Sequence, residues 1–162
     1  MARHLCSELA ISFDLPIGWY VIEDKSLFSH YIEIPVDVLN STVCVLAGAV
    51  GREAILVTVI RGIGSEDAFR SVVKNSMKAM EQAGAKYISG GWVRLSQGNL
   101  VCRMLMKESF LRSTSIYYVH INGLILVFAG QARKQDDDRD RLINYVASST
   151  QSHMTQYNSD WV

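Results

Sequence analysis

The chain has 162 residues, of which 49% are apolar and 20% charged, with 16 basic and 16 acidic side chains and a pI near 6.9. That size and balance describe one folded domain able to bury a full core, and exclude a disordered chain. Zero net charge argues against a general nucleic-acid or anionic-membrane binder, which needs a basic surplus, while weak colloidal repulsion makes self-association easier.

The first residues, Met-Ala-Arg-His-Leu-Cys-Ser-Glu, have no apolar stretch of the kind a signal peptide carries. Arg3-His4-Leu5 before Cys6 is a poor lipoprotein cleavage sequence. Cys6, Cys44 and Cys102 are an odd count with no CxxC spacing, so a disulfide framework is not expected and a cytoplasmic, reducing location is. Residues 1–10 are a weak start, an extra strand or a frayed lead-in, and Ile11, Phe13 and Leu15 then alternate as a strand that Pro16 ends. Pro16 to Gly18 turn the chain into a short strand at 19–22.

Residues 23–40 are less regular. Tyr31, Ile32 and Ile34 suggest a brief strand before Pro35, and 36–40 one helical turn. The runs 43–49 and 54–60 are nearly all apolar and read as paired central strands. Gly51-Arg52-Glu53 interrupts them, and each half is too short for a membrane-spanning helix, which takes about 20 residues. No membrane insertion is expected.

Arg61-Gly-Ile-Gly-Ser65 superficially matches a phosphate-binding turn, but GxGxxG fails because residue 67 is Asp, and the Lys-Ser/Thr of a P-loop is missing. Asp67 beside Glu66 would repel a phosphate at that helix end. The turn instead leads into a helix over 66–83. Ser65 is a suitable N-cap, Glu66 and Asp67 charge the first turn favourably, and Phe69, Val72, Val73, Ser76, Met77 and Met80 form one stripe. Gly84 fits the left-handed position beyond its end.

Further strands follow at 86–95, with a bend at Gly90-Gly91, and at 100–107. Gln97-Gly98-Asn99 joins them. Strands at 114–120 and 124–129 flank Asn122-Gly123, the strongest short hairpin signal, and 131–135 reads as a loop. A last helix spans 136–149 with Leu142, Ile143 and Val146 on one face. Tight turns imply antiparallel pairing. The expected fold is α+β, an antiparallel sheet of about six or seven strands with helices packed on it, forming one domain over 1–149 and a polar, flexible tail over 150–162.

Chemistry-bearing constellations are sparse. Asp136, Asp137, Asp138 and Asp140 lack the glycine and distal Glu of a calcium loop, and neighbouring Arg and Lys offset them, so they read as a solvated helix start. His4, His30, His120 and His153 have no ligand spacing. No local nucleophile motif surrounds the serines, and Cys44 and Cys102 sit in apolar runs. No metal, cofactor or catalytic residue is expected.

Cys102, Met104 and Met106 project to one face of their strand. Core packing is the plainer reading. An adaptable binding surface is the alternative, since Met repacks easily, and with Tyr117 these residues are the candidate partner-binding set. Several strands look apolar on both faces, yet a helix about 10 Å wide covers only about two strands spaced about 4.8 Å. Unless 23–40 covers the rest, two helices leave apolar surface for a dimer or a partner.

Phe13-Asp-Leu-Pro-Ile-Gly-Trp19 resembles the Phe-x-Leu-Pro-x-Gly-Trp opening of the PsbP-like fold superfamily. The helix 66–83, the hairpin 92–107, the hairpin around Tyr117-Tyr-Val-His-Ile-Asn-Gly-Leu, and the closing Ile143-x-x-Val-Ala-Ser-Ser149 are similar in order. The resemblance spans about 11–149. It implies an α/β/α sandwich and a protein that is generally not an enzyme. Branches include PsbP itself, the Ran-binding Mog protein, DcrB-like lipoproteins and the Eag chaperones of type VI secretion; the longer 23–53 region and extra tail depart from the last. The expectation is a secretion-associated chaperone or adaptor, a homodimer holding an apolar segment of an effector on its sheet. The alternatives are an immunity protein that plugs a toxin, and an enzyme or small-ligand protein with a pocket beside Trp19, Trp92 or His120.

Overall fold

The computed structural model describes residues 2–48, 54–109, 112–133 and 137–154. In chain order its elements are β1 (Ala2–Cys6), β2 (Ile11–Leu15), β3 (Trp19–Ile22), α1 (Val36–Leu39), β4 (Thr42–Gly48), β5 (Ala54–Arg61), α2 (Glu66–Gln82), β6 (Lys86–Arg94), β7 (Leu100–Ser109), β8 (Arg112–Ile121), β9 (Leu124–Arg133), α3 (Asp137–Ser148) and β10 (Gln151–Ser152), with short 3-10 turns at Ser7–Leu9 and Lys25–His30. Seven strands form one antiparallel sheet in the order β3-β4-β5-β9-β8-β7-β6, and three form a second, β1-β2-β10.

Local chemistry places the turns. Ser65 accepts a hydrogen bond from the Ala68 amide and caps α2, and Gly84 follows the helix at φ 101°. Asn122 and Gly123 both have positive φ, the geometry of a two-residue hairpin turn that keeps the right-handed twist of its strands. That turn also reaches across the molecule. The Asn122 side-chain amide donates to the Leu9 and Ala10 carbonyls at 3.1 Å each, and Ser152 donates to its amide oxygen. The main hairpin thereby holds the small sheet in place.

Both faces of the seven-stranded sheet are covered, in two different ways. On one face, Ile11, Phe13 and Leu15 of the small sheet, with Leu9 of the 3-10 turn before them, join Ile143, Val146 and Ala147 of α3 over Leu46, Val57, Val119, Leu126 and Phe128. Phe13 meets Phe128 edge-on at 5.5 Å. On the other face α2 sets Phe69 and Val73 on Cys102, Met104, Met106, Ile116, Tyr118 and Ile125. Beside it Phe28, with Ile22, Ile32 and Ile34, packs on Val45 and Ala54.

Three expectations change. Residues 31–34 are not a strand; they join the 3-10 turn to α1 and turn their apolar side chains onto the sheet. The turn expected at Pro16–Gly18 carries the chain from one sheet to the other, because β2 pairs with β1 and β10 while β3 pairs with β4. The expected loop at 131–135 starts as strand, since β9 runs to Arg133. The fold also continues past 149: Thr150 is buried, Gln151 and Ser152 pair with β2, and the His153 amide donates to the Ala10 carbonyl at 2.8 Å. The rest of the expected tail, 155–162, lies outside the described residues.

Candidate functional site

The residues singled out for partner binding are core residues. Cys102, Met104 and Met106 are 4%, 2% and 0% exposed beneath α2, and Tyr117 is 3% exposed on the opposite face. Cys102, Met104 and Met106 share one face of the strand, and Val101 lies on the other. The helix lies over the methionine side, so that side packs the interior and offers no open surface. The 23–40 segment does cover part of the sheet, as the sequence allowed, and the three-stranded sheet, which the sequence did not announce, covers more of it.

Polar groups converge in two places. The first is where Arg103 leaves the sheet beneath α3. Its Nε lies 3.1 Å from both Asp140 carboxylate oxygens and a terminal nitrogen 2.8 Å from one of them. Ser115 donates to Asp140 at 2.6 Å and Tyr117 at 3.2 Å. Burial alone would push the Asp140 carboxyl up, but the guanidinium and hydroxyls together outweigh it and hold it below the ordinary Asp value. Burial, reinforced by that carboxylate, pushes the Tyr117 phenol up to about 12. Arg103 also donates to Ser89 at 3.3 Å, so the cluster ties α3, β8, β7 and β6 together.

The second is a cleft of about 510 Å³ between β1 and the ends of β4 and β5, lined by His4, Cys6, Glu8, Glu23, Lys25 and Arg61 among others. His4 lies 3.3 Å from Glu23 and against the Phe13 ring. Burial raises the Cys6 thiol, and burial pushes Cys44 up to about 12, so neither is a thiolate near neutral pH. Among the described residues no group of three His, Cys, Asp or Glu side chains could hold a metal ion. Asp140, from the acidic run, is engaged by Arg103. His120 donates from Nε2 to the Ile63 carbonyl, 2.9 Å away, and stacks on Phe69 at 5.1 Å.

The surface that stands apart is the outer strand β6. The sequence reads it as a strand with a glycine bend, and its position at the end of the sheet is set by topology. Among the described residues, nothing pairs with its outer side. Along it Tyr87, Trp92 and Val93 are 47%, 37% and 58% exposed. Trp92 is held rigidly, edge-on to the buried Phe69 ring at 5.7 Å, with the Arg70 guanidinium 4.6 Å from its ring centre. Glu66 fixes the end of the strand by a two-pronged contact to Arg94, 2.7 and 3.1 Å. The strand is tied to its neighbour closely: a Cβ on Gly90 would stand 2.2 Å from the Arg103 carbonyl oxygen. A rigid strand with a free backbone edge and fixed aromatic groups is what an extended peptide needs to add to a sheet. The cue in the sequence was Tyr87, Gly90-Gly91, Trp92 and Val93 in one run, a strand with aromatic groups but no alternation of buried and polar positions.

No family model and no curated protein matches the chain. Solved structures do. The chain is similar to cyanobacterial PsbP from Synechocystis, with a TM-score of 0.65 at 16% identity, covering 93% of this chain and 91% of that one. It is also similar to the Ran-binding protein Mog1p of Saccharomyces cerevisiae, with a TM-score of 0.56 at 10% identity, covering 96% of each. At these identities the likeness shows the fold, over nearly the whole length of all three chains.

Proposed function

We propose that this chain, which has the PsbP-like fold, is a non-enzymatic protein-binding module whose docking element is the free edge of β6. The observation that carries the reading is that long, exposed edge strand with its fixed tryptophan, beside a sheet covered on both faces. Support comes also from Mog1p, a protein of the same fold whose own partner is a protein, Ran, and from a cleft and a polar cluster whose groups are either self-satisfied or mixed in charge. The physical act is capture of one segment of another protein. A secretion-associated chaperone or adaptor performs it on an effector; an immunity protein performs it on a toxin, and a single tight complex that abolishes one toxin's activity distinguishes the second.

The test is a photo-crosslinking residue placed at Val93, with the same residue at Val36, which is 87% exposed near the other edge of the sheet, as the control. In lysate of the source cells, one recurrent protein adduct specific to position 93 is expected. Equal labelling from both positions, or none, overturns the reading.

The cleft near Cys6 and Arg61 supports a second reading, binding of a small polar ligand. A metabolite panel that raises the melting temperature, with the rise lost in Arg61→Ala, would favour it.

A further inference from the structure

The cleft beside Cys6 is built from elements that bring opposite charges around an apolar floor. Its floor is the start of β4 and the end of β5, where Val43, Cys44 and Val59 face the small sheet. Cys44 is 1% exposed, and Thr42 beside it already donates to the Val38 carbonyl at 3.0 Å. β4 lies between β3 and β5, paired with the first through Ile22 and Val45 and with the second through Thr42 and Thr58. Glu23 and Lys25, just beyond β3, and Arg61, at the end of β5, therefore line the cleft from opposite sides of β4. Glu8 lines it from the turn after β1. Cys6 marks where these groups meet, since Glu8, Glu23 and Arg61 all act electrostatically on its thiol.

We infer that this cleft takes a small zwitterion with an apolar middle, of the size and kind of a dipeptide, its carboxylate on Arg61 and its ammonium toward Glu8 and Glu23. The inference rests on the second reading above, a small polar ligand in this cleft, and not on docking at β6. The charged lining is Arg61 and Lys25 against Glu8 and Glu23, with His4 3.3 Å from Glu23. Among the described residues no ion pair engages Arg61, Lys25 or Glu8, so these charges are not spent on one another.

Other ligand classes fit that lining less well. A bare anion such as phosphate meets two carboxylates in the same space. A metal ion lacks its ligands, as no group of three among the described residues could hold one. An uncharged apolar molecule strips water from four charged groups and returns no hydrogen bond. A molecule with one charge of each sign, held apart, satisfies both sides. The backbones flanking β4 stand about 9.6 Å apart, two strand spacings, and their side chains shorten that gap. An extended dipeptide spans about 7 Å. The cleft volume of about 510 Å³ lies in the ordinary range for small-ligand sites. Arg61 suits the carboxylate because a guanidinium offers two parallel donors, and the apolar side chains settle on Val43 and Val59.

The experiment is isothermal titration calorimetry with three probes: leucyl-leucine, its amide, which lacks the carboxylate, and its N-acetyl form, which lacks the ammonium. Each is titrated into the wild-type chain, into Arg61→Gln, and into Glu8→Gln combined with Glu23→Gln. All three positions are exposed, and thermal melts of the free variants check that they fold. The wild type should bind leucyl-leucine about tenfold more tightly than either capped form. Arg61→Gln should erase the preference over the amide and keep that over the acetyl form; the glutamine pair should do the reverse. Bound leucyl-leucine should also slow alkylation of Cys6, which is half-buried while Cys44 and Cys102 are buried. No binding of leucyl-leucine, equal binding of all three probes, or preferences that the variants leave unchanged overturns the inference. If leucyl-leucine fails while another polar metabolite still raises the melting temperature through Arg61, the zwitterion falls and the small-ligand reading stands; if both fail, both fall.

Discussion

The two outer strands of the main sheet are built on opposite plans. β3 is four residues long and half-buried. Ile22 packs under the Phe28 segment, and Tyr20 leans edge-on against Tyr31 at 6.2 Å. β6 is nine residues long and exposed over most of its length. Natural sheets shorten, cover or charge their edges because unpaired backbone invites unwanted partners. One edge here is shortened and covered. The other is kept long, and Arg94 at its end is held by Glu66. The difference teaches where to look for function in a fold whose two faces are both occupied.

The largest test of that contrast removes the seat of the β6 aromatic platform. Phe69 is fully buried and touches both Trp92 and His120. Phe69→Ala should cost about 3–5 kcal/mol, read from urea unfolding. Amide exchange should quicken in β6 before it does in β3. Equal quickening at both edges would mean that the two are not independently supported.

Next comes Gly90→Ala. The new methyl would meet backbone, the Arg103 carbonyl at 2.2 Å, which cannot rotate away as a side chain can. Separation of β6 from β7 should cost about 2–3 kcal/mol, and exchange protection should fall in 86–94 while Trp19–Ile22 stays protected. An unchanged stability would show that the close approach of these strands is not what holds the edge straight.

The Arg103 and Asp140 cluster lies on the face away from that platform. Asp140→Asn should cost about 1–2 kcal/mol near neutral pH. Because the folded carboxyl is held below its ordinary value, its stabilisation is complete above the unfolded carboxylate range and is lost as pH falls through the lower folded value. The gap between wild type and variant should therefore shrink below about pH 4. A gap that persists into acid would assign the effect to packing of α3 and not to charge.

Much of this architecture is legible locally. Ser65, Gly84 and the Asn122-Gly123 pair each announce their backbone geometry within a few residues, and helix and hairpin limits follow. What needed three dimensions is long-range pairing. Nothing near Ala2–Cys6 or Gln151–Ser152 signals that they flank Ile11–Leu15 in a second sheet, since each strand is short and its partners are distant in sequence. The methionine strand shows the same limit. Period-two alternation separates Met104 and Met106 from Arg103 and Leu105, but the face that α2 covers depends on where Arg61-Gly-Ile-Gly-Ser65 sends the chain. Edge status is equally non-local: Tyr87 to Val93 look like any strand until the order of all seven is known.

The smallest expected effect is the most discriminating. Val93 and Val36 are both exposed apolar residues, 58% and 87%, placed near opposite edges. Val93→Thr and Val36→Thr keep side-chain shape, and each should leave stability within about 0.5 kcal/mol of wild type. If β6 is the docking edge, only Val93→Thr should weaken recovery of the protein partner, because an added strand places a side chain beside residue 93 and none near residue 36. Equal weakening by both would move the binding surface off the edge strand, and with stability unchanged no unfolding effect could be blamed for it.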